Sequence, residues 1–134
     1  MIERTLSIIK PDATVRRLTK KINRKIQDSG LKIIIQKTVL LNIQQVRYFY
    51  AIHKKKFFFQ KLLCYIISAP VIVQVLEGDK AISKHRILVG ATDPRRALSG
   101  TIRKYFALDV EQNTIHGSDS KDAAKREIAF FFHI

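Results

Sequence analysis

The sequence holds one cysteine, Cys64, in 134 residues, which rules out an internal disulfide and the secreted folds that rely on several. Its apolar neighbours Leu62, Leu63, Tyr65, Ile66 and Ile67 predict a reduced thiol packed in a helix, and with it a cytoplasmic protein. Zinc chemistry is not signalled either. His53, His85 and His133 stand at none of the Cys/His spacings of a zinc site and read as surface or packing residues. Long apolar runs are missing, because Lys, Arg or Gln interrupts every Ile/Leu/Val stretch well short of the roughly 20 residues that a spanning helix requires. A soluble protein with no membrane span is expected. The opening Met1-Ile2-Glu3-Arg4-Thr5 shows no basic segment followed by an apolar one and a small-residue cleavage site, so secretion is not expected. Internal repeats and low-complexity linkers are absent, and the length suits one compact domain over residues 1–134. There is no Gly-x4-Gly-Lys-Ser/Thr loop and no glycine-rich kinase loop, so phosphates are not cradled by either device.

Acidic residues are also scarce. Eleven Asp and Glu face 25 Lys and Arg, a formal charge of +14. Such a field raises encounter rates with phosphates and nucleic acids, and admits nucleotides, RNA, DNA or anionic membranes as partners. A solvated basic surface explains the same number without any partner. Arg16, Arg17, Lys20, Lys21, Arg24 and Lys25 crowd one helical stretch, which suits either a nucleic-acid-facing stripe or the charged outer face of an amphipathic helix.

Alternation in Arg4 to Lys10 predicts a strand, stopped by Pro11, whose missing N–H cannot extend a ladder. Asp12 can cap a following helix in which Val15, Leu18, Ile22 and Ile26 recur at helical spacing until Gly30. Leu31 to Leu41, rich in Ile, Val and Thr, reads as a second strand with Lys32, Gln36 and Lys37 exposed. Helical spacing returns from Ile43 to about His53 and from Phe57 to Ile67, a helical hairpin. Pro70 introduces the run Val71 to Leu76, a strand buried on both faces. Glu77-Gly78-Asp79 then turns into a helix ending near Val89. Loop chemistry around Thr92-Asp93-Pro94 and Gly100 precedes a short Ile102 to Phe106 segment, taken as the short strand, and a last helix runs from Ser120 to about Phe132. The order predicts an α+β, ferredoxin-like split βαβ sandwich: an antiparallel four-stranded sheet covered by helices.

The densest chemical signal is Asn113-Thr114-Ile115-His116-Gly117-Ser118-Asp119-Ser120. It resembles the Asn-x-x-His-Gly-Ser-Asp-Ser signature of the nucleoside diphosphate kinase family; six fixed positions in eight match a random chain of this length about once in a million. Glu3-Arg4-Thr5-Leu6-Ser7-Ile8-Ile9-Lys10-Pro11-Asp12 resembles the family's opening strand. Arg86, Gly90-Ala91-Thr92-Asp93-Pro94 and Gly100-Thr101-Ile102-Arg103 follow in family order, so the likeness spans essentially the whole chain. A neutral imidazole is a usable nucleophile near neutrality, because its unperturbed pKa of about 6.5 leaves most of it unprotonated. A phosphorylated imidazole keeps a high transfer potential and splits exchange between nucleotides into two ping-pong half-reactions.

The resemblance implies a role for each matching residue. It makes His116 the phosphate carrier, with Ser118 and Glu127 orienting its ring. Arg86, Arg103 and Thr92 serve the phosphates. Lys10 and Asn113 reach the sugar hydroxyls, Lys10 also lying near the transferred group, with Tyr50 beside Lys10. Phe58 stacks on the nucleobase, Val110 lies on its other side and Leu62 closes the pocket edge. Stacking accepts every base, which suits a site indifferent to base identity. Mg²⁺ is expected to arrive on the nucleotide phosphates rather than on protein ligands. The family assembles as dimer-based tetramers or hexamers, so a homo-oligomer is expected.

The chain departs from the family at Phe57, usually Pro, at Lys61, usually Gly, and at Asp93, commonly Asn. It ends at Ile134, where family members ordinarily add a short tail that in many of them contributes to subunit contacts. Two other readings compete with the enzyme: a basic nucleic-acid-binding homologue with weak or lost kinase activity, and a regulatory homologue whose altered hairpin no longer stacks a base. Salt-sensitive affinity would mark the first, and poor nucleotide binding despite His116 the second.

Overall fold

The computed structural model describes residues 1–49 and 59–134. Strand β1 (Ile2–Ile9) is buried from Thr5 onward and stops at Lys10, where Pro11 takes the first position of helix α1 (Pro11–Val15). The single helix expected up to Gly30 is interrupted. Arg17 adopts left-handed dihedrals (φ 59°) and Leu18 bonds back to the Ala13 carbonyl, so α1 closes before helix α2 (Thr19–Asp28) begins. Ile22 and Ile26 keep the anticipated apolar face, whereas Val15 is exposed. Asp12 does not cap α1: it is buried inside the helix's first turn, and Lys10 holds the cap position.

Strand β2 (Lys32–Val39) leads to helices α3 (Ile43–Phe49) and α4 (Phe59–Ile66), the described parts of the helical hairpin; Tyr50, Phe57 and Phe58 lie outside the described residues. Cys64 sits on α4 as anticipated, but on its exposed side rather than packed. Strand β3 (Val71–Asp79) runs three residues past its expected end at Leu76, through the expected turn, because Glu77 pairs with Arg4 across the ladder and Asp79 binds the chain's amino terminus. Helices α5 (Ala81–Val89) and α6 (Ile102–Phe106) follow. The Ile102 to Phe106 segment is therefore helix rather than short strand. Its Thr101 hydroxyl caps it by accepting from the Lys104 N–H. The fourth strand is β4 (Ile115–Gly117), which contains His116, and α7 (Lys121–Phe132) closes the chain behind a Ser120 cap.

The four strands form one antiparallel sheet in the order β2-β3-β1-β4, the order of a ferredoxin-like α+β sandwich. Leu6, Ile8, Val71, Val73 and Val75 pack one face against α3, α4 and α7. Ile9, Leu76 and Ile115 pack the other against α1, α2, α5 and α6. Because side chains alternate along a strand, this partition decides the placement of the signature. Ile115 joins the second core, His116 turns toward α7, and Gly117 turns toward α5.

Candidate active site

Three register pairs hold β4 against β1, with Ile115 opposite Ile9, His116 opposite Ile8 and Gly117 opposite Ser7, and beyond the strand's end the Ser118 N–H donates to the Leu6 carbonyl. The turn entering β4 is under constraint. Thr114 has φ 76°, a left-handed conformation that a β-branched residue adopts at a cost of about 1–3 kcal/mol. Asp12 offsets it. Its carboxylate accepts from the Thr114 N–H at 3.2 Å and the Thr114 hydroxyl at 2.7 Å, and from Arg16 at 3.1 Å and the Tyr65 hydroxyl, while the Lys10 N–H donates to the Thr114 carbonyl at 2.8 Å.

At His116, Nε2 lies 3.0 Å from Glu127 Oε1, and the same oxygen accepts from the buried Ser118 hydroxyl at 2.6 Å. A carboxylate can only accept, so Nε2 carries the proton and the ring's lone pair is on Nδ1. Burial lowers the imidazole pKa, Lys10 and Arg103 add to that, and Glu127 opposes it. The ring is therefore held in its neutral, nucleophilic form near neutrality. Glu127 comes to this point because two turns of α7 run back over the sheet from the Ser120 cap.

The cationic residues divide into two groups. Arg86, Thr92 and Arg103 line a cleft of about 210 Å³ together with His116, Gly117 and the backbone around Gly90. Arg103 is braced by the carbonyls of Gly90, Asn113 and Ile115 at 2.8–3.2 Å, which fixes a guanidinium beside the imidazole. Lys10 is buried and donates to Asn113 Oδ1 at 2.8 Å. Its pKa is pushed down to about 7, first by burial and then by Arg103, with Asp12 pulling the other way. Only Leu62 and Val110 of the residues expected at the base are among the described residues. Leu62 is buried in the first core, Val110 is exposed with its carbonyl accepting from Asn113, and Phe58 and Tyr50 lie outside them.

Sequence reasoning missed four contributors. Asp12 read as a cap, and nothing in the signature announces its bonds to Thr114. Phe49 packs edge-on to His116, a contact that only the fold creates. Thr114 fills an unspecified position of the motif. His85, read as a surface or packing residue, is fully buried with neither ring nitrogen hydrogen-bonded among the described residues, and its pKa is pushed down to about 3, first by burial and then by its neighbours His116, Arg103 and Arg86. Its ring lies on Gly117, where an added Cβ would sit 2.4 Å from His85 Nδ1.

Comparison with known proteins agrees with this geometry. The family model for nucleoside diphosphate kinase matches residues 3–134. Nucleoside diphosphate kinases of Paracoccus denitrificans and Acidiphilium cryptum are 58% and 55% identical to the chain over 131 and 130 residues, covering 98% and 97% of it and 94% and 93% of those proteins. Among solved structures, the Halobacterium salinarum nucleoside diphosphate kinase in complex with CDP superposes with a TM-score of 0.96 at 40% identity, covering 100% of this chain and 90% of that one. The Aquifex aeolicus enzyme gives 0.90 at 38% identity, covering 98% and 96%. With its signature histidine on β4, its cleft cations in family order and these likenesses along nearly its whole length, the chain belongs to the nucleoside diphosphate kinase family.

Proposed function

We propose that the chain performs nucleoside diphosphate kinase chemistry with His116 as the phosphate carrier. The observation that carries this reading is the Nε2–H bond to Glu127, which leaves the nucleophilic lone pair on Nδ1 of a ring that lines a cationic cleft. In the first half-reaction Nδ1 forms a bond to the γ-phosphorus as the bond to the bridging β-γ oxygen breaks, and the diphosphate leaves with that electron pair. In the second, a terminal β-phosphate oxygen of another diphosphate takes the phosphoryl group, and the imidazole recovers its lone pair. Arg86, Arg103 and Thr92 bind the phosphates and neutralise the charge spread over the transferred group. Ser118 and Glu127 orient the ring. Lys10 and Asn113, bonded to each other, are suited to ribose hydroxyls, and the family resemblance assigns Tyr50 to the same end of the site. Phe58, Val110 and Leu62 serve the base.

Among the described residues no three His, Cys, Asp or Glu gather into a metal-holding group, and guanidinium groups line the cleft. Such a lining repels a free divalent cation, so a Mg²⁺ would be held chiefly by nucleotide phosphates, where it supplies further charge neutralisation. A solved relative, the Halobacterium salinarum enzyme in complex with CDP, supports nucleotides as the substrates.

The homo-oligomer is supported by β2, which among the described residues is an edge strand with no neighbour on its outer side and which exposes Ile34. Light scattering distinguishes tetramer from hexamer. No helix among the described residues is long and apolar enough to cross a membrane, and the lone thiol suits the reducing cytoplasm. Nucleic acid has weaker support as a partner. Arg16 is committed to Asp12 and the Phe106 carbonyl, and Lys25 lies over the Tyr105 ring, which shortens the basic stripe on the first helices.

Incubation with γ-labelled ATP and Mg²⁺ tests the reading. Acid-labile, base-stable label on the wild type but not on His116→Ala, chased by GDP into labelled GTP, is the expected result. A folded wild type that takes no label overturns it.

A further inference from the structure

Phe49 is absent from the signature, yet its ring centroid lies 5.1 Å from that of His116 with the planes at 72°. That spacing and angle suit an attractive edge-to-face pair. Phe49 is itself gripped by α7: Phe131 lies 5.5 Å away and Phe130 6.2 Å away, and those two rings pack edge-on to each other at 4.9 Å. Tyr48 stacks on Phe130 at 4.8 Å. Glu127, Phe130 and Phe131 are spaced i, i+3 and i+4, and so occupy one face of the helix.

A hydrogen bond tolerates a spread of angles, so the bond at Nε2 and the covalent tether at Cβ together leave the ring a range of tilt about Cβ–Cγ, and tilt moves Nδ1. A contact on the body of the ring narrows that range. We propose that Phe49 is a positioning residue for His116, and that α7 sets the nucleophile twice: directly through Glu127, and through Phe130 and Phe131 acting on Phe49. The cluster thus fixes the angle at which Nδ1 meets the cleft. In-line attack is sensitive to that angle, since misplacement of about 1 Å can cost roughly a hundredfold in rate. The inference rests on His116 being the phosphate carrier.

The test measures single-turnover phosphorylation of His116 by γ-labelled ATP with Mg²⁺, together with ADP affinity, thermal midpoint and ¹⁵N chemical shifts of the histidine rings. Phe49→Leu keeps an apolar filler but loses the flat ring; Phe49→Tyr keeps the ring. Phosphorylation about ten- to a hundredfold slower in Phe49→Leu, with ADP affinity within about twofold and near-wild-type rates in Phe49→Tyr, is the expected pattern. The Nε2–H tautomer should persist in both, because Glu127 is untouched. A lowered midpoint with a wild-type phosphorylation rate in folded Phe49→Leu overturns the proposal and leaves Phe49 a packing residue. If Phe49→Leu does not fold, Phe130→Leu, one ring further from the nucleophile, replaces it; a several-fold slower rate supports the chain of contacts and a wild-type rate overturns it. Absence of label on wild-type protein would instead defeat the phosphate-carrier reading itself, which separates the two failures.

Discussion

One carboxylate oxygen, Oε1 of Glu127, accepts from both Nε2 of His116 and the hydroxyl of Ser118. The shared acceptor ties the ring's protonation to its orientation. Glu127→Ala should therefore slow phosphorylation of His116 by about ten- to a hundredfold, by loss of tautomer control and aim together. Nucleotide affinity should change little, because the groups assigned to the phosphates and sugar are elsewhere. Single-turnover rates set beside ADP titrations check this.

His85 should make the protein acid-labile. Its folded pKa of about 3 lies below the unfolded value near 6.5, so between those values the unfolded chain binds more protons and stability rises with pH. The contribution is fully present above about pH 6.5 and is lost as pH falls toward 3, at up to about 1.4 kcal/mol per pH unit. Denaturant unfolding of wild type and His85→Leu at pH 7 and pH 5 is the check. The leucine variant should lose less stability between the two.

Gly117 and His85 compete for one space. Gly117→Ala places a methyl 2.4 Å from the His85 ring, an overpacking that should cost about 1–3 kcal/mol and displace β4 at His116. Adding His85→Ala in the same chain vacates that volume. Recovery of thermal midpoint and labelling in the double variant, relative to Gly117→Ala, is expected; equal damage in both would show that the ring is not the obstacle.

Lys10, with a pKa near 7, should make diphosphate binding weaken as pH rises from about 6.5 to 8.5, because the ammonium is lost across that window. Calorimetric titration of ADP into wild type should show this decline. Lys10→Met should bind more weakly at pH 6.5 and lack most of the dependence.

Asp12→Ala should be more damaging than the loss of a surface acid. It strands the Thr114 N–H and hydroxyl in a left-handed turn and removes the carboxylate to which Arg16 and the Tyr65 hydroxyl donate. A loss of about 2–4 kcal/mol in urea unfolding is expected. Because that turn leads into β4, labelling of His116 should fall as well.

Local pattern alone determined much of this protein. Alternation and β-branched residues marked the first three strands, Pro11 and Gly30 marked element ends, and the run after Asn113 carried enough fixed positions to name the family. These features are short-range: they depend on residue type and on spacing within one element. What the pattern could not carry was any choice made by contact. Residues 102–106 and 115–117 are both too short for a period to distinguish helix from strand, and only the ladder with β1 made the latter the fourth strand. The break at Arg17 keeps the apolar spacing of the helix around it, so periodicity does not reveal it. Asp12 and Thr114 are about a hundred positions apart, as are Lys10 and Asn113, and the sheet brings each pair into bonding distance. The pairing of Glu127 with Nε2 likewise needed a helix folded back over the sheet. Tertiary structure, by choosing which nitrogen keeps the proton, decided which face of His116 can react.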